Sequence, residues 1–124
     1  MQYFSPEYFD ELGRRLNADA EWTKKAASLT VKLTLTVTDR TTSYMLEIVN
    51  GVVTARKAAA EDPADFKFEG PYDIWAKIAR GQTDFNTAVI TGKMKFKGSL
   101  PRIMGIQPQV LRLTAVAKAI PADL

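Results

Sequence analysis

In the stretch LTVKLTLTVTD, Leu29, Val31, Leu33, Leu35 and Val37 take every second position, with Thr or Lys between them. Strand side chains alternate between the two faces of a sheet, so this pattern predicts a strand with one buried and one solvated face. TSYMLEIVNG continues the habit and ends in Asn50-Gly51, a type I′ hairpin signal, from which VVTARKA would return antiparallel. Beyond the polar break AAEDPA, DFKFEG predicts a short fourth strand with Phe66 and Phe68 on one face. A fifth strand, Lys93–Gly98, alternates three lysines with Met94 and Phe96.

Elsewhere the period changes. Ser5-Pro6-Glu7 reads as a helix start, with Ser5 as N-cap and Pro6 in the first turn. Tyr8, Phe9, Leu12 and Leu16 then recur at helical spacing, predicting a helix over about 6–18. Residues 19–28 either extend it or begin a second helix around Trp22. PYDIWAKIARG predicts a short helix facing inward through Ile74, Trp75 and Ile78 and closed by Gly81. TDFNTAVITG predicts another, capped by Asp84, with Phe85, Ala88 and Val89 inward. The tail is expected to hold a short amphipathic segment, a break at Gly105–Pro108 and a closing helix over about 108–119. Strands in a run with helices segregated to the ends argue for one α+β domain over 1–124: a five-stranded, largely antiparallel sheet covered on one face by helices.

Composition narrows the chemistry. The 124 residues include no Cys and no His, which removes thiolate chemistry, imidazole bases and the commonest metal ligands. No enzyme activity, metal or cofactor is expected; Tyr72-Asp73 is the least implausible catalytic pair. The acidic cluster Glu61-Asp62-Pro63-Ala64-Asp65 lacks the spacing of a calcium loop and reads as a solvated turn. No apolar run approaches the length of a membrane span, no signal-peptide pattern opens the chain and PADL is no peroxisomal address, so the cytoplasm is the expected location.

Charge is uneven. Residues 1–92 carry 11 Lys/Arg against 13 Asp/Glu, whereas 93–124 carry 6 against 1. The alternating lysines point away from Met94 and Phe96 and have no aromatic neighbour on their own face to stack bases, so nucleic acid is not an expected partner. The basic segment either keeps the apolar tail soluble or makes transient contact with an anionic membrane surface. Leu100, Ile103, Met104, Ile106, Val110, Leu111, Leu113, Val116 and Ile120 make the tail strongly apolar despite its two prolines. Such a tail either closes the core, lines an apolar hollow, or meets a partner, a second copy of the chain included.

Gly92-Lys93-Met94-Lys95-Phe96-Lys97-Gly98 resembles the glycine-bounded basic/apolar strand of the sterol carrier protein type-two, or nonspecific lipid-transfer, family. ADFKFEG and YDIWAKIARGQTDFNTAVITG, in that order before it, are similar to the family's short strand and its paired helices. The resemblance implies a hydrophobic tunnel that binds, transfers or presents a fatty acyl chain, sterol-like molecule or isoprenoid without transforming it. On that reading Leu33, Leu35, Phe66, Phe68 and Phe96 form the sheet wall, and Trp75, Ile78, Phe85 and Val89 the helix wall. Leu100, Ile103, Met104 and Leu111 would close it. The alternative is an accessory domain that uses the apolar tail to dimerise or to support a lipid- or quinone-metabolising enzyme.

Overall fold

The computed structural model describes residues 1–124. Ser5 accepts a hydrogen bond from the Tyr8 amide at 3.2 Å and opens α1 (Pro6–Ala18), whose buried stripe is Tyr8, Phe9, Leu12, Gly13 and Leu16. Asp19 ends that helix and caps a separate α2 (Ala20–Lys25), accepting from the Trp22 amide at 2.7 Å.

Five strands follow: β1 (Val31–Val37), β2 (Thr42–Val49), β3 (Val52–Ala58), β4 (Phe66–Gly70) and β5 (Lys95–Lys97). They form one sheet in the order β3-β2-β1-β4-β5. Pairing is antiparallel except between β1 and β4, which run parallel with Leu33 opposite Phe66 and Leu35 opposite Phe68. Between β4 and β5 lie α3 (Tyr72–Ala79) and α4 (Phe85–Ile90), and α5 (Leu100–Gly105) and α6 (Gln107–Lys118) end the chain. This is the α+β arrangement that the alternation and the helical stretches predict. No helix is long and apolar enough to cross a membrane.

The Asn50-Gly51 turn adopts positive φ at both residues, 47° and 83°, as a type I′ turn requires. Its glycine has a second role. A Cβ there would stand 2.7 Å from the Ala26 carbonyl oxygen, and the Gly51 carbonyl accepts from the buried Trp22 indole at 2.8 Å. The hairpin tip is thereby docked onto α2. At the outer edge of β3, the Asn17 carboxamide exchanges two hydrogen bonds with the Val53 backbone, at 2.8 and 2.9 Å, in the manner of a neighbouring strand.

One contiguous core joins the helix-facing side of the sheet, including Leu33, Leu35, Tyr44, Leu46, Phe66 and Phe68, to Phe9, Leu12, Trp75 and Ile78. Phe9 stacks on Tyr44 with centroids 4.4 Å apart, and the Trp75 indole donates to the Thr36 carbonyl at 2.9 Å.

The opposite face departs from the expectation of a solvated threonine stripe. Thr34 is 0% and Thr36 5% exposed, and the Thr36 and Ser43 hydroxyls bond each other at 2.7 Å. The cause is topological. Because β4 lies beyond β1, the chain leaving β3 must cross β2 and β1 to reach it. The AAEDPA segment, expected to be a free acidic turn, makes that crossing. Ala60 accepts from the Lys67 ammonium at 2.8 Å, Asp62 accepts from the Ala59 amide at 3.0 Å, and Asp65 accepts from the Lys32 amide at 2.8 Å. Strand alternation predicted which face each side chain takes, but nothing in it predicted that both faces would be covered.

In the tail, Pro101 and Pro108 fall in the first turns of α5 and α6, where the missing N–H costs nothing. The break between the two helices is the single residue Ile106 rather than Gly105–Pro108.

Candidate functional site: an apolar cleft under the last helices

Met94 is buried against Gly70, which turns Phe96 toward the helices and Lys95 and Lys97 toward the other face, where Lys97 meets Glu69 at 3.4 Å. Beyond β5 the backbone must turn hard. Gly98 sits at φ 141°, and a Cβ there would lie 2.7 Å from both the Asp65 carbonyl oxygen and the Phe66 ring. Ser99 then caps α5, accepting from the Arg102 amide at 3.3 Å. The chain is thus folded back over β4 and β5 without resting flat on them.

The space left beneath is a cleft of ≈ 500 Å³. Its floor is Phe68 and Phe96, with ring centroids 5.3 Å apart, and α4 contributes Phe85, Asn86, Val89 and Ile90. Leu100, Ile103 and Met104 of α5, with Gln107 and Val110 of α6, form the roof. Nine of the 11 lining residues are hydrophobic, and the lining contains no charged residue. The rim is apolar as well as open: Ile90 is 83%, Leu100 62% and Met104 66% exposed.

A second, tighter hollow of ≈ 40 Å³ lies deeper, among Tyr3, Phe4, Leu12, Leu35, Trp75, Ile78, Leu113 and their neighbours. Phe85 lines both spaces, its ring 5.3 Å from Phe68 and 5.6 Å from Trp75. Around this inner hollow the Tyr3 hydroxyl donates to the Trp75 carbonyl at 3.2 Å and the Tyr8 hydroxyl to Ala117 at 3.1 Å. Burial pushes the Tyr8 phenol up to about 12 and Tyr3 higher still, so both remain protonated donors.

The residues named from sequence therefore distribute over two spaces. Phe68, Phe85, Val89, Phe96, Leu100, Ile103 and Met104 line the cleft; Leu35, Trp75 and Ile78 line the inner hollow, which Phe85 shares. Leu33 and Phe66 are core residues that border neither, Phe66 standing behind the wall with its ring stacked 5.9 Å from Phe96. Leu111 is 63% exposed and points away; Val110 takes the inward position instead. Sequence reasoning missed Asn86, Ile90, Gln107 and Val110. Carrying the helical phase from Leu100 and Ile103 through the break reaches Gln107 and Val110, seven and ten residues beyond Leu100, and would have found two of them. Tyr72 and Asp73 form no pair: the Tyr72 hydroxyl is buried without a hydrogen-bond partner and Asp73 is exposed.

The alkyl sulfatase C-terminal family matches residues 5–106 of the chain. The chain belongs to this family. No curated protein sequence matches it. Among solved structures, the crystal structure of sterol carrier protein 2 superposes with a TM-score of 0.85 at 20% identity, covering 97% of this chain and 100% of that one. A conserved hypothetical protein from Thermus thermophilus superposes at 0.78 and 20% identity, covering 99% and 92%. The inverting sec-alkylsulfatase Pisa1 from Pseudomonas sp. is 27% identical with a TM-score of 0.62, over 80% of this chain but 15% of that enzyme. The alkyl sulfatase C-terminal domain seen here thus has the sterol-carrier fold that the glycine-bounded strand resembles.

Proposed function

We propose that this domain binds the hydrocarbon chain of a lipid or other single-chain amphiphile in the cleft between β4–β5 and α4–α6, and transfers or presents it without changing it. The observation that carries the reading is the uncharged ≈ 500 Å³ space with an exposed apolar rim. Burying each methylene contributes about 0.8 kcal/mol, so a chain of ten or so carbons binds firmly with no directional contact. The fold, shared with sterol carrier protein 2, and the absence of His and Cys from the chain support binding over catalysis. The whole of 1–124 serves as one binding domain on this reading, working in the cytoplasm.

The test is titration with a fluorescent fatty acid. Micromolar binding is expected, unchanged by EDTA and weakly affected by salt. Met104→Asp, at an exposed rim position, should weaken it at least several-fold, while Lys95→Ala on the other face should not. No binding to any acyl or isoprenoid probe would end this proposal.

The family match favours a second reading, in which the domain presents an alkyl chain to an associated sulfatase. Lipid movement between vesicles by the isolated chain separates transfer from such presentation, since a presenting domain need not release its guest to a membrane.

A further inference from the structure

The mouth of the cleft holds two polar side chains, Asn86 and Gln107, and both are carboxamides. The Gln107 amide nitrogen lies 3.3 Å from the Ile103 carbonyl oxygen. A carbonyl can only accept, which fixes the flip of the carboxamide: one N–H of the NH₂ is engaged within the roof, and Oε1 remains as an acceptor with no hydrogen bond to the protein. No lysine or arginine lines the cleft to receive an anion. Two cations on the elements that frame the cleft, Arg102 of α5 and Lys97 of β5, are committed elsewhere. Arg102 pairs with Asp65 at 3.5 Å and leans over the Phe66 ring, and Lys97 pairs with Glu69.

From this we infer that the cleft selects, among single-chain lipids of equal length, those with a neutral hydroxyl-bearing head over anionic or cationic ones. The inference rests on the chain-binding reading above and adds the head-group class. A hydroxyl donates to Gln107 Oε1 and can accept from Asn86 as the chain enters. A sulfate or carboxylate can accept from the same carboxamide N–H groups, but it has no donor for that oxygen and would surrender hydration without gaining a cation. An ammonium gains one acceptor at the cost of desolvating a charge beside an apolar rim.

The experiment is displacement of the neutral probe N-phenyl-1-naphthylamine by decanol, decyl sulfate and decyltrimethylammonium, each below its micellar concentration, with circular dichroism confirming the fold. Decanol should displace at about a tenth of the concentration either ion needs, the scale of one lost hydrogen bond at a partly buried acceptor. Gln107→Met should erase that preference by weakening decanol about tenfold while leaving the two ions nearly unchanged, and Gln107→Lys should move decyl sulfate ahead of decanol. Equal displacement by all three overturns the head-group inference and leaves the chain-binding reading standing. A wild-type preference for decyl sulfate overturns it too. Failure of the probe and all three ligands to bind refutes both.

Discussion

Phe85→Ala is the substitution that bears most directly on how large a guest the domain holds. Phe85 is the side chain shared by the ≈ 500 Å³ cleft and the ≈ 40 Å³ inner hollow, wedged between Phe68 and Trp75. At about 30 Å³ per methylene-sized group, the cleft alone is full at no more than about 16 carbons. Removing the ring opens a space on the order of 100 Å³, joins the two hollows, and adds room for about four carbons. The stability cost should be about 2 kcal/mol, below the 3–5 typical of a fully buried Phe because Phe85 is half-buried. In a series of n-alkanols from 8 to 20 carbons, wild-type affinity should rise about fourfold per carbon and then level once the cleft is filled. The variant should bind the short members more weakly, having lost ring contacts, and should keep gaining for about four carbons past the wild-type plateau. Competition against a fluorescent probe reads both curves. The same plateau in both proteins, with the variant folded, would refute Phe85 as the partition between two hollows.

Two further outcomes follow from the charges. The Asp19 carboxyl is held down at about 2, chiefly by hydrogen bonds from Arg112 and then by the Trp22 amide. A depressed carboxyl stabilises fully above its unfolded value of about 4 and loses that contribution as pH falls toward 2. Asp19→Asn should therefore lower the melting temperature at pH 7, with the gap to wild type closing by about pH 2; a gap constant over that range in thermal circular dichroism would contradict a charge-based clasp. For membranes, Lys97, Arg102 and Arg112 are ion-paired with residues before 93, which leaves Lys93, Lys95 and Lys118 to act on a surface. Lipid transfer between vesicles should speed with anionic lipid, slow as salt shortens the Debye length to about 10 Å at 0.1 M, and lose both dependences when those three become Glu; rates indifferent to vesicle charge would remove steering from the mechanism.

What the sequence made legible follows from what local periodicity encodes. Alternation from Leu29 to Val37 assigned Leu33 and Leu35 to the helix-facing side, and Asn50-Gly51 placed the hairpin. Ser5 and Asp84 marked helix starts to the residue. Each of these is decided within a few residues of chain. The parallel β1–β4 pairing is not, because it depends on where a strand 30 residues later is carried, and with it went the burial of Thr34. The cleft was half legible for the same reason. Which residues are apolar and inward is local, but whether two inward residues border empty space or each other depends on how far α5 stands off the sheet. Leu33 and Phe66 were filled against neighbours; Phe68 and Phe96 were left facing a gap.

That stand-off has a physical origin in where the tail is fastened. The fastenings of α6 lie on the side of α1 and α2: Arg112 reaches Asp19 with two hydrogen bonds at 2.6 and 2.9 Å, Gln109 donates to the Lys25 carbonyl, and Ala117 accepts from Tyr8. Val116 and Ile120 are buried near that end. By contrast α5 sends one buried side chain, Ile103, toward the sheet and exposes Leu100 and Met104. A helix pair serving only to close a core would gain by turning those two inward, at roughly 1.5–3 kcal/mol for each side chain fully buried. The ties on α6 and the rigid exit at Gly98 hold the roof at both ends, so α5 cannot settle onto Phe68 and Phe96 without breaking one of them. A guest chain supplies the missing contacts from outside, and it can do so without disturbing the core on which α6 rests.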